Sequence, residues 1–97
     1  MNPVPRSIIK LVRNEKIAFS RKAQDVLFSG RLTLDDLMSS ILNGSVIKKE
    51  RDETRKSRFK YTIVGPTLSG RLTYSCGKII KYGTETQYFI ITFHEAR

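Results

Sequence analysis

The chain has one cysteine, Cys76, and one histidine, His94, among its 97 residues. A single thiol closes no internal disulfide, and with no second Cys to pair with it there is no zinc pair. Cys76 therefore reads as a small buried hydrophobe, and no metal or other cofactor is expected. Long apolar runs are absent as well. Arg6 and Lys10 interrupt the segment from Met1 to Leu11, and nothing approaches the roughly 18 residues that a spanning helix needs. Neither secretion nor membrane insertion is expected, so the cytoplasm is the default compartment. There is no Gly-rich phosphate loop and no nucleophile elbow.

Acids are scarce too. Nine Asp and Glu face eighteen Lys and Arg, a formal net charge of +9. Such a surplus attracts polyanions and makes their binding depend steeply on salt. It also serves plain solubility, and it suits acidic proteins or membrane surfaces. Hydrophobic residues at 39% with nine aromatics mark a folded chain, and the length suits one domain over residues 1–97.

After Pro3 and Pro5, the residues Ile8, Ile9, Leu11 and Val12 form one apolar stripe, which predicts a short helix from Ser7 to Asn14. Lys16 to Phe19 is a short strand or an extended link. Ser20 caps a helix running from Arg21 to Ser29, with Gly30 at the left-handed stop. Thr33 and Asp36 form a capping box for a third helix that reaches Leu42 and stops at Asn43-Gly44, which explains the acids Asp35 and Asp36 better than metal binding does. From Ser45 onward the pattern turns to β, with four mostly antiparallel strands and a break after Gly77. Helices first and strands afterwards predict an α+β fold, two or three helices packed on one face of a four-stranded twisted sheet.

Lys48 to Lys60 holds seven basic residues against Glu50, Asp52 and Glu53. It reads as a hairpin whose Arg58 and Lys60 face away from Phe59 and Tyr61, beside Arg55 and Lys56. Phosphate oxygens suit such a cluster, and so does an ordinary solvated loop that blocks edge-to-edge pairing. Tyr61, Tyr74, Tyr82 and Tyr88 alternate with cations as stacking platforms do, although strand aromatics commonly belong to a core. His94 at the end of the last strand is the one imidazole available for proton transfer in phosphodiester cleavage; a structural or exposed role fits it equally. A DNA-reading helix-turn-helix is disfavoured, because the helix after Gly30 opens with two acids.

From Phe19 to Phe93 the chain resembles small bacterial and phage domains related to the BrnT and RelE group of ribonuclease toxins. The resemblance is carried by Ala23, Leu32-Thr33-Leu34-Asp35-Asp36-Leu37, Asn43-Gly44-Ser45-Val46-Ile47, the segment from Arg58 to Gly65, Gly70-Arg71-Leu72 and Ile90-Ile91-Thr92-Phe93. It implies a toxin-like fold whose basic concave sheet face holds messenger RNA. Cations and one or two proton-transfer groups then replace a catalytic triad. The histidine usual before the helix alanine is Lys22 here, and the usual arginine positions near Val26 and Gly30 are apolar or Gly. What remains for a site is His94, Lys22 and Arg58 for chemistry, and Arg55, Lys56, Arg58, Lys60, Arg71 and Lys78 for RNA. The expectation is an RNA-binding, toxin-like domain with metal-independent ribonuclease activity at His94. The alternative is a non-catalytic protein whose basic face binds an acidic partner, such as an antitoxin or a host target.

Overall fold

Two helices begin where a side-chain hydroxyl caps them, after Ser20 and after Thr33. The computed structural model describes residues 2–53 and 59–96. Strand β1 (Asn2–Pro3) leads to helix α1 (Arg6–Arg13) and strand β2 (Ile17–Phe19). Helices α2 (Arg21–Ser29) and α3 (Leu34–Leu42) follow, then strands β3 (Ser45–Arg51), β4 (Phe59–Pro66), β5 (Leu72–Tyr82) and β6 (Glu85–Glu95). Ser20 Oγ accepts from the Ala23 N–H at 3.0 Å and donates to the Ile91 carbonyl at 2.5 Å, so one hydroxyl caps α2 and ties it to β6. Gly30 takes φ +79°, the left-handed stop. Thr33 and Asp36 exchange both bonds of a capping box at 3.1 Å. The same Asp36 carboxylate accepts from Leu68 N–H at 3.4 Å and so fastens the β4–β5 turn.

The class is α+β, but the sheet differs from expectation. It has six strands in the order β1-β3-β4-β5-β6-β2 and is mixed, because β2 runs parallel to β6. The two added strands flank α1, and they lie at opposite edges. Lys16 to Phe19, open between strand and link in the sequence, holds the strand β2, while two residues at β1 are too few to show a period of two. The expected break after Gly77 is instead a bulge. β5 runs unbroken to Tyr82, while the pairing jumps from Cys76↔Thr92 to Gly77↔Ile90 and leaves Ile91 unmatched. Gly77 is needed there because a Cβ would stand 2.6 Å from Tyr88 Cζ.

One apolar cluster joins the layers. Ile8 and Val12 of α1, Ala23 of α2, and Leu37 and Ile41 of α3 pack with Val46, Ile63, Tyr88, Ile90 and Phe93 of the sheet. Register then assigns the two faces. Ile63, Ser75 and Phe93 are paired across three strands on the helix-covered face. Val64, Tyr74 and His94 are paired on the other face, beside the row Thr62, Cys76 and Thr92. Cys76 is therefore half-buried on the uncovered face and not in the core. Burial pushes its thiol pKa up. Among the described residues no helix is long and apolar enough to cross a membrane.

Candidate phosphate-binding surface

Register places the basic strand residues beside acids. Lys60 lies directly across from Glu50, whose carboxylate sits 3.9 Å from Lys60 Nζ and 3.4 Å from Lys48 Nζ. Arg71 Nη1 meets Glu95 Oε1 at 2.9 Å, and its Nε reaches Ser69 Oγ at 3.4 Å. Lys78 Nζ donates to Asp52 Oδ2 at 3.0 Å, with side chains only 15% and 4% exposed. The three cations nominated for RNA that the structure describes are thus partnered by carboxylates, and Lys78 is held inside the fold. Arg55, Lys56 and Arg58 lie outside the described residues.

The four tyrosines separate by depth. Tyr88 is fully buried over Gly77, and burial raises its phenol well above the ordinary range. Tyr61 is half-buried, with Lys49 Nζ 5.8 Å from its ring and 4.3 Å from that of Phe59. Tyr82 is 73% exposed. Tyr74 lies against His94, ring centroids 5.7 Å apart at 53°.

β2 pairs with β6 only as far as Ile90, so beyond that residue β6 becomes a sheet edge flanked by α2 and the link after it. His94 is exposed on this edge. Together with Arg31 it lines two adjoining hollows. One, of about 110 Å³, is lined also by Val26, Leu32 and Phe93, the other, of about 390 Å³, by Ala96, and Glu95 borders both. Arg31 has no carboxylate partner among the described residues. Lys22, exposed in the first turn of α2, lines neither hollow. Tertiary structure thus places Arg31, and not Lys22, in the same hollows as His94. Gly30 is the local sign that the chain turns there: its left-handed backbone ends α2 and redirects Arg31 and the buried Leu32.

Among the described residues no group of three or more His, Cys, Asp or Glu could hold a metal ion. No protein-family model matches the chain, no curated protein matches it, and no solved structure matches it.

Proposed function

We propose that the domain binds RNA through its phosphates and cuts it, without a metal, in the cleft between His94 and Arg31. The observation that carries this reading is that exposed His94 and Arg31, an arginine without a carboxylate partner among the described residues, line the same hollows, on a chain of net charge +9. Cleavage needs few groups. The ribose 2′-hydroxyl attacks the adjacent phosphorus and the bond to the 5′-oxygen breaks, leaving a 2′,3′-cyclic phosphate and a 5′-hydroxyl. His94 takes the 2′ proton or supplies the one that the leaving oxygen needs. Arg31 offsets the charge that gathers on the non-bridging oxygens. The exposed part of the Tyr74 ring offers a base a stacking surface beside the imidazole. In the ribonuclease toxins that the sequence resembles, cations and one or two proton-transfer groups are likewise the expected machinery.

The test is incubation of the protein with end-labelled RNA in chelator, beside His94→Ala and Arg31→Ala. Cleavage lost in His94→Ala with binding retained supports the reading. RNA that is bound but intact with every protein removes the catalytic part, and an absence of binding at low salt removes the whole.

A further inference from the structure

Helix α1 starts without local support at its first turn. Its N-cap residue is Pro5, with no side-chain cap bond, and its first turn contains no acid. Arg6 occupies that first turn, where the helix dipole disfavours a cation. Arg6 and Lys10 stand four residues apart, Lys10 and Arg13 three apart, so like charges are stacked on one exposed side. α3 follows the opposite rules, with a capping box and Asp35 and Asp36 in its first turn. The contrast lies in the first turns, since Lys10 and Arg13 in the last turn of α1 suit the dipole there. Departures from local consistency of this kind collect where a surface serves something besides folding.

The geometry of α1 suits a ligand. Ile8 and Val12 are fully buried and fix the rotation of the helix. Arg6, Lys10 and Arg13 are thereby held within about 60° of arc and about 10 Å of helix length. They line a groove of about 270 Å³ together with Ile9 and Asn14. None of the three cations has a carboxylate partner among the described residues, in contrast to Lys60, Arg71 and Lys78. The groove has one apolar residue, Ile9, and it is half-buried. A protein partner needs a desolvated apolar anchor, which this groove lacks. A phosphate chain needs only spaced cations.

We infer that the outer stripe of α1 docks the phosphate backbone of single-stranded RNA, a second contact apart from the His94 cleft. This rests on the reading of the domain as an RNA binder. The stripe positions the strand and reads no sequence.

The test uses the full chain, a labelled single-stranded RNA of about twenty nucleotides, and a salt series. Arg6→Gln, Lys10→Gln and Arg13→Gln are combined and compared with Lys16→Gln, Lys48→Gln and Lys81→Gln, which remove the same net charge elsewhere. At about 0.7 of a counterion per contact, three lost contacts flatten the salt slope by about two and weaken binding about 100-fold at 0.1 M salt. The α1 variant is expected to melt close to wild type, because the lost repulsions offset the lost dipole contacts of Lys10 and Arg13. Wild-type RNA binding with the α1 variant unchanged, or weakened no more than the comparison variant, overturns this inference and leaves the RNA reading standing. Wild-type protein that binds no RNA at low salt overturns the RNA reading itself. Poly-glutamate bound as tightly as RNA, and lost equally in the α1 variant, assigns the stripe to acidic proteins and overturns the inference.

Discussion

Lys78 separates a structural cation from a binding one, and its removal has a calculable consequence. The Lys78–Asp52 contact is 3.0 Å long, with side chains 15% and 4% exposed. At that distance and an effective dielectric of about 20, the gross attraction is about 5 kcal/mol, largely offset by desolvation of both groups. Asp52→Ala leaves the ammonium mostly inside the fold without its carboxylate, which costs about 3–5 kcal/mol for a buried pair. The lower end applies here, because part of the lysine still reaches solvent. With an unfolding entropy near 0.2 kcal/mol/K for a chain of this size, about 3 kcal/mol lowers Tm by about 15 °C. Lys78→Met is expected to destabilise as well, since it takes the ammonium away from a buried carboxylate. The double variant should recover part of the loss, and the cycle isolates the coupling. Thermal melts of the four proteins measure this, and RNA titrations well below Tm should give Lys78→Met and wild type the same affinity. A Tm within two degrees of wild type, with RNA binding weakened about five-fold as for one lost phosphate contact, would place Lys78 in the binding surface and refute the reasoning.

Two further outcomes test the frame that carries the sites. A Cβ on Gly65 would fall on the Ser40 backbone carbonyl oxygen and stand 2.9 Å from Gly44 Cα, so Gly65→Ala must push α3 off β4. Chemical denaturation should show a loss of about 3 kcal/mol or more, because backbone cannot rotate aside as a side chain does. Asp36 accepts the Thr33 N–H first of all, and this bond holds its carboxyl below the ordinary 3.8. A lowered folded-state value means that its contribution is present above pH 3.8 and disappears as pH falls further. Asp36→Asn should therefore lower Tm at pH 7 and lose less Tm than wild type between pH 5 and pH 3.

The parts legible in the sequence are those settled within one helical turn. Ser20, Gly30 and the Thr33–Asp36 box satisfy backbone groups three or four residues away, so their meaning survives without the rest of the chain. The net charge was legible in the same way, as a count. Only the tertiary structure decided which cations stay free. The register across β3 and β4 puts Glu50 opposite Lys60, and folding brings Asp52 to Lys78. It also decided the sheet edges, since β1 and β2 are strands only because β3 and β6 offer open backbone groups. Ile47 and Ile91 are bulged, and each shifts the alternation after it, so counting by twos along the sequence loses the face. His94 and Arg31 line one hollow because β2 stops at Phe19 and leaves the end of β6 open to the link after α2. Contacts closed over long loops depend on which register packs the core, and that choice is made by the whole fold at once.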